Sequence, residues 1–199
     1  MPPLFLLRHG ETEWNLQRRM QGTLDSPLTD RGRAQAQAMG RALATALADA
    51  PMETRFLCSP LGRARETAAL VGVALGLDPA RWVEDARLAE LSYGRWEGLT
   101  IADIDRERPD AMATWRADPE GFVPPGGETH FELRRRARSF LDEMRDGQVR
   151  VVAVGHGVSG AVVRGLHLGL DARAMFVLEK PQDAFFRLDA GGETRIEAM

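Results

Sequence analysis

The chain has 199 residues, of which 44% are hydrophobic and 28% charged, and carries a formal net charge of −3. That is the balance of a soluble globular protein with one substantial core, expected to form a single domain over residues 1–199. A slightly acidic chain argues against a nucleic-acid partner, which needs a dominant basic face, and no apolar run approaches the length of a bilayer span.

The N-terminal "MPPLFLLRHGE" has too short an apolar stretch, and no basic flank, for a signal peptide. Its run over residues 4–7 is unbroken rather than alternating, as in a strand buried on both faces, and it stops at Arg8 and His9. Thr29 is placed to cap an alanine-rich helical pattern over residues 30–50. A second apolar run, 56–58, contains Cys58, the only cysteine; one thiol excludes an intramolecular disulfide and a thiolate metal cluster and fits the cytoplasm. "PLGRARETAALVGVAL" then reads as a helix with Pro60 in its first turn and Gly76 at its end.

Residues 94–127 fit the alternation less well: two short helical patterns, "TIADIDRERP" and "DAMATWRAD", precede the turn-rich "EGFVPPGGE". They are expected to form an insert or lid. Thr129 is placed to cap "HFELRRRARSFLDEM", in which "RRRARS" reads as a solvated helix face. Residues 149–154 form the third buried run, followed directly by "GHG" and the helical pattern "VSGAVVRGLHLGL", and residues 184–188 form the fourth. His130, His167 and Trp96 are read as packing or surface residues.

Strands alternating with helices imply an α/β fold: a mostly parallel sheet covered on both faces by helices. The polar clusters then acquire a common location. Arg8 and His9 follow the first strand, "SPLGR" with Arg63 the second, and "GHG" with His156 the third. The carboxyl ends of parallel strands lie on one edge, where ligands bind.

Two histidines and two arginines in one crevice suit an anion with several oxygens, and guanidinium forks match phosphate. Glycines beside both histidines, Gly10 among them, leave room for a phosphoryl group, and Gly157 opens a helix whose N-terminus favours negative charge. A neutral imidazole is a competent nucleophile toward phosphorus, and flanking arginines keep it neutral. The leaving alcohol needs a proton. Glu90, framed by Leu88, Ala89 and Leu91, and Glu11, beside His9, both qualify by local sequence.

"RHGET" with Asn15, then "QGTLDSPLTDRGRAQA", "SPLGRARETA", "LAELSYGRWEG" and "GHG", in that order from residue 7 to 157, together resemble the histidine phosphatase superfamily, the phosphoglycerate mutase-like fold. The resemblance implies a three-layer α/β/α sandwich. It implies that His9 is the phosphorylated nucleophile, that Arg8, Arg63 and His156 bind and polarise the phosphoryl group, and that Glu90 rather than Glu11 is the proton donor. Asn15, Gln21, Gly22 and Thr23 match substrate-lining positions, with Tyr93 and Gly157 on the pocket wall. No metal or organic cofactor is implied. The substrate is a small phosphate ester, with neither nucleic acid nor membrane as partner; a homodimer is compatible with the reading.

Cofactor-dependent mutases resemble the chain through Tyr93, but Ile101 stands where their lysine is expected and the insert has no adjacent arginine pair. Hydrolysis is therefore favoured, and "YGRWEGLT" resembles the broad-specificity and α-ribazole-phosphate branches. A mutase, or a phospho-ligand binding module without turnover, is the alternative. "GHGVSG" also spells a dinucleotide fingerprint at Gly155, Gly157 and Gly160, with Glu179 downstream. That reading leaves Arg8, His9 and Arg63 unexplained.

Overall fold

The computed structural model describes residues 1–48 and 53–198. In chain order the elements are β1 (Leu4–Arg8), α1 (Glu13–Leu16), α2 (Asp30–Ala48), β2 (Thr54–Cys58), α3 (Gly62–Leu75), β3 (Trp82–Glu84), α4 (Ile101–Glu107), α5 (Pro109–Ala117), α6 (His130–Asp146), β4 (Arg150–Gly155), α7 (Gly157–His167), α8 (Ala172–Val177), β5 (Ala184–Asp189) and β6 (Gly192–Glu197). The sheet order is β3-β2-β4-β1-β5-β6. β3, β2, β4 and β1 run parallel; β5 is antiparallel to β1 and β6 to β5. The sheet is thus mixed, with its parallel part carrying the strands that end in polar clusters.

The unbroken apolar runs are explained by burial on two faces. Leu4, Leu6, Val151, Ala153, Phe186 and Leu188 pack against Leu133, Phe140 and Met144 of α6, Val163 of α7 and Met175 of α8. The alternate positions Phe5, Leu7, Phe56, Val152, Val154 and Phe185 pack against Met39 and Leu43 of α2 and Ala68 and Val71 of α3. Helices therefore cover both faces, giving three layers.

The four predicted strands correspond to β1, β2, β4 and β5, with β4 starting at Arg150 rather than residue 149. β3 and β6 were not anticipated. β3 is a three-residue edge strand with two exposed positions, and β6 is a polar edge with no buried position. Neither has the apolar run that marks a buried strand, although the glycine-containing two-residue turn between Asp189 and Gly192 is a hairpin signal.

Helix ends follow local chemistry. The Thr29 hydroxyl accepts the Gly32 N–H at 2.9 Å, capping α2, and Thr129 forms a reciprocal capping box with Glu132 on α6. The last two residues predicted for α2, 49 and 50, lie outside the described residues. Pro60 precedes α3 instead of occupying its first turn: Leu61 is the N-cap and Gly62 the first helical residue. Ser59 and Pro60 instead make the turn leaving β2. Gly76 ends α3 in the left-handed conformation, φ 66°.

The 94–127 segment forms α4 and α5 around a satellite cluster of Trp96, Ile104 and Met112. It rests on the turn that follows α1: the Met20 N–H donates to Leu99 O at 2.9 Å and the Gly98 N–H to Met20 O at 2.8 Å. Among the described residues, no helix is long and apolar enough to cross a membrane.

Candidate active site

β1, β2 and β4 are parallel, so Arg8–His9, Ser59–Arg63 and His156 emerge along one edge of the sheet. The ladder continues into the site: His9 N–H donates to Gly155 O at 3.0 Å and Ser59 N–H to Val154 O at 2.9 Å. β5 runs the other way, so its amino end brings Lys180 and Gln182 to that edge. A pocket of about 180 Å³ there is lined by Arg8, His9, Asn15, Arg19, Met20, Gln21, Gly22, Arg63, Glu90, Tyr93, Gly157, Val158 and Lys180. Four of these are cationic chains and one is a carboxylate, which favours an anionic ligand.

His9 is 3% exposed, and both ring nitrogens are engaged. Nδ1 lies 2.7 Å from Gly10 O, which can only accept, and Nε2 lies 3.2 Å from Arg63 Nε, which can only donate. The ring is therefore neutral, with its proton on Nδ1 and the lone pair on Nε2. Burial first, then Arg8 and Arg63, holds His9 well below the ordinary histidine range.

Arg63 is 1% exposed and held as a fork. Nη1 donates to Leu24 O at 2.7 Å and Asp25 Oδ1 at 2.9 Å, and Nη2 donates to Gly22 O at 2.7 Å. Gly22 must be glycine there: its φ is +54°, and a Cβ would lie 2.1 Å from Glu97 Oε1. Arg8 Nη1 donates to Lys180 O, while its Nε is buried without a protein partner. Burial lowers the Arg8 pKa, Glu90 opposing and Arg63 adding to the effect.

His156 meets His9 edge to face, ring centroids 5.2 Å apart. Its Nε2 is 2.7 Å from the fully buried Ser59 Oγ, and its Nδ1 is buried without a partner. Ser59 Oγ accepts the Leu61 N–H at 3.3 Å and, among the described residues, finds in His156 Nε2 the acceptor for its own proton; that donation puts the ring proton on Nδ1. His156 is also held well below the usual range, by burial first and then by His9 and the arginines. Among the described residues, Arg8 Nε and His156 Nδ1 at this strand edge, and Gln21 Oε1 of the pocket wall, are buried without protein partners.

Glu90 sits on the pocket wall, but not in the bare apolar frame its neighbours suggest. Its carboxylate accepts N–H groups from Leu91 at 3.0 Å, Val158 at 3.0 Å and Ser159 at 2.8 Å. The N-terminus of α7, expected to face the ligand, instead holds this carboxylate. The loop carrying Glu90 is clamped by Arg136, which donates to Arg87 O, Ala89 O and Glu90 O and pairs with Glu128. Arg136 belongs to the stretch read as a solvated helix face: Arg135, Arg138 and Ser139 are exposed as expected, but Arg136 turns inward onto the Glu90 loop. Glu11 is not among the lining residues; its carboxylate accepts from the Thr29 hydroxyl and pairs with Arg31.

Asn15, Gln21, Gly22, Tyr93 and Gly157 line the pocket. Burial, with Glu90 nearby, raises the Tyr93 hydroxyl pKa. Thr23 does not line it: its N–H and hydroxyl both bond Glu97. Gly10 is small for another reason than phosphate access. A Cβ there would lie 2.2 Å from Gly32 O, so the glycine permits α2 to pass against the loop after His9. No residue of 94–127 lines the pocket, so the segment expected as a lid acts on the site through Glu97, Gly98 and Leu99, which support the 20–23 turn.

Sequence reasoning missed Ser59, Arg19, Lys180, Gln182 and Arg136. Lys180, the chain's only lysine, lies half-buried with Nζ donating to Phe176 O at 2.8 Å and Leu178 O at 2.9 Å. Among the described residues no cluster of three or more His, Cys, Asp or Glu is arranged to hold a metal ion.

Paired buried histidines and arginines at the carboxyl edge of a three-layer α/β sandwich define a phosphate-handling class of fold and site. The chain belongs to the histidine phosphatase superfamily (branch 1), whose sequence pattern matches residues 4–196. It is similar to glucosyl-3-phosphoglycerate phosphatase from Mycobacterium tuberculosis (strain CDC 1551 / Oshkosh), 38% identical over 141 residues; the match spans 71% of this chain but only 59% of the relative's length. Among solved structures it is similar to the α-ribazole phosphatase from Shigella flexneri, with a TM-score of 0.83 and 27% identity over 99% of this chain and 96% of that one. It also resembles a mycobacterial glucosyl-3-phosphoglycerate phosphatase solved with VO3, with a TM-score of 0.79 and 32% identity over 95% and 91% of the two chains.

Proposed function

We propose that the protein hydrolyses small phosphomonoesters through a phosphohistidine on Nε2 of His9. The observation that carries this reading is the proton placement on His9: Nδ1 faces Gly10 O, so the basic nitrogen is the one beside Arg63 in the pocket.

The ester's phosphoryl oxygens take the donors left open, Arg8 Nε, His156 Nδ1–H and the Asn15 amide, while the Arg63 guanidinium shifts its Nε–H from His9 to a phosphoryl oxygen. His9 Nε2 attacks phosphorus and the ester P–O bond breaks. The Glu90 carboxylate, having taken up the proton that a phosphomonoester monoanion brings into the pocket, passes it to the leaving oxygen. Glu90 then accepts a proton from water as its oxygen attacks phosphorus, the P–N bond breaks, and inorganic phosphate and neutral His9 are released. The cations in the pocket neutralise the transferring group, so turnover proceeds without added metal. The single, buried Cys58 agrees with a reducing, cytoplasmic setting.

Glucosyl-3-phosphoglycerate and α-ribazole phosphate, from the names of the similar proteins, belong in the substrate screen beside sugar phosphates, phosphoglycerates and nucleotides. Incubation with a labelled ester in the presence of a chelator, quenched in base, should trap acid-labile, base-stable label on His9. Absence of that label, or activity retained by His9→Ala, overturns the mechanism. Isomerisation of phosphoglycerate outpacing phosphate release identifies a mutase, and ester binding with no release across the screen identifies a binding module.

A further inference from the structure

From the geometry we infer that Gln182 is a positioning residue, fixing the amide of Asn15 and the backbone of His9 so that donors face the phosphoryl group. The inference rests on the functional reading above. Gln182 lies in the short link between α8 and β5, and the antiparallel pairing of β5 with β1 (Leu6 opposite Phe186) returns this link to the end of β1. Its Nε2 is a two-proton donor with two acceptors: His9 O at 3.2 Å and Asn15 Oδ1 at 3.0 Å.

The second bond decides which way Asn15 points. Asn15 Oδ1 also accepts the Thr12 N–H at 3.1 Å, and the Asn15 N–H donates to Thr12 Oγ1 at 3.2 Å. With Oδ1 holding two N–H donors, the Asn15 Nδ2 group is the end left for the pocket that Asn15 lines. Turning the amide over would set Nδ2 against two other donors and present Oδ1 to an anion. Thr12 is fully buried, and its hydroxyl also accepts from Gln21 Nε2 at 2.8 Å, so the network links Gln182, Asn15, Thr12 and Gln21 near the phosphate end of the pocket. Gln182 touches none of the reacting atoms; it acts through Asn15 and His9. In sequence it stands 167 positions from Asn15 and carries no motif, which is why it escapes sequence reading.

The test compares wild type, Gln182→Met, Gln182→Glu, Asn15→Ala and the Gln182→Met/Asn15→Ala pair. Inorganic phosphate binding is measured by calorimetry, kcat and KM with p-nitrophenyl phosphate, and melting temperature in parallel. Met keeps length and volume but donates nothing; Glu, when ionised, offers only acceptors and drives the Asn15 amide to turn over. Gln182→Met should weaken phosphate binding and raise KM about tenfold, the worth of a hydrogen bond of about 1.4 kcal/mol. Gln182→Glu should lose more than Gln182→Met, with melting temperature close to wild type for both. Because one of its two bonds runs through Asn15, the double variant should bind phosphate more tightly than the product of the two single losses predicts. Phosphate binding by Gln182→Met within twofold of wild type, or losses that multiply in the double variant, overturns the inference while leaving the functional reading standing. A wild-type protein that neither binds phosphate nor releases it from esters overturns both.

Discussion

Arg63 Nε donates to His9 Nε2 across 3.2 Å, so the guanidinium and the proposed attacking nitrogen share one hydrogen bond before any substrate arrives. That bond keeps the imidazole neutral and aims its lone pair. In the proposed mechanism it also makes Arg63 a competitor for the same lone pair, released when a phosphoryl oxygen takes the N–H. The other Arg63 bonds, to Gly22 O, Leu24 O and Asp25, hold the guanidinium in place while that exchange occurs.

The two site histidines make stability depend on pH. Both are buried with pKa values well below the ordinary one, so below about pH 6.5 the unfolded chain binds protons that the native state refuses. Stability is unaffected by them above that pH and falls as pH drops, with a limiting slope of about 1.4 kcal/mol per unit for each histidine. Urea unfolding at pH 7.5 and 5.5 should show wild type losing more than a His9→Asn/His156→Asn variant. Equal losses would place the acid sensitivity elsewhere.

Ser59 sets which nitrogen of His156 carries its proton. Ser59→Ala removes the hydroxyl at Nε2, freeing the ring to place its lone pair on Nδ1, toward the phosphoryl group. A fall in kcat/KM of about tenfold is expected, from one hydrogen bond of about 1–1.5 kcal/mol, with Ser59→Thr retaining part of the activity if its methyl is accommodated. Steady-state kinetics on both variants check this; unchanged kcat/KM in Ser59→Ala would contradict the assignment.

Gly22 and Glu97 should be energetically coupled. Gly22→Ala meets both a left-handed backbone and the Glu97 carboxylate, and is expected to destabilise the fold by about 1–2 kcal/mol from the backbone alone. Glu97→Ala removes the overlap but also the bonds to Thr23, Ser92 and Tyr93 N. Thermal unfolding of the two single variants and the double should therefore show sub-additive destabilisation. Additive losses would mean that the backbone conformation alone demands glycine.

Glu90 and its clamp Arg136 should matter in proportion to how badly the leaving group needs a proton. Glu90→Gln and Arg136→Lys are expected to slow alkyl phosphates by about 10²-fold or more, and p-nitrophenyl phosphate, whose leaving phenolate is stable, by much less. Arg136→Lys should be the milder of the two, since lysine keeps charge but not the fork that bonds three carbonyls. Equal slowing of both substrates would remove Glu90 from the role of acid.

The core of the site was legible because its signals are local. An unbroken apolar run followed by Arg8–His9 marks a buried strand delivering polar groups at its carboxyl end, and the same logic applied to Arg63 and His156 brings parallel strand ends together without contact information. Residues that act from antiparallel or exposed positions left no such mark. β6 is polar, and Lys180 and Gln182 precede a strand whose direction the sequence does not state. Gly10, beside His9 in sequence, reads as room for phosphate, but the space its missing side chain leaves is filled by Gly32.

By itself the sequence determined the strands buried on both faces, the helix caps at Thr29 and Thr129, and the strand-end residues His9, Arg63 and His156, because hydrophobic periodicity and capping are encoded within a few residues. Only the tertiary structure decided where the protons and donors go. The α7 N-terminus holds Glu90, Arg136 clamps the Glu90 loop, Glu11 faces Thr29 and Arg31, and Gln182 reaches Asn15 across 167 positions. Each of these is a hydrogen bond or ion pair between groups far apart in the chain or facing unforeseen neighbours, and its partner is chosen by packing rather than by local pattern.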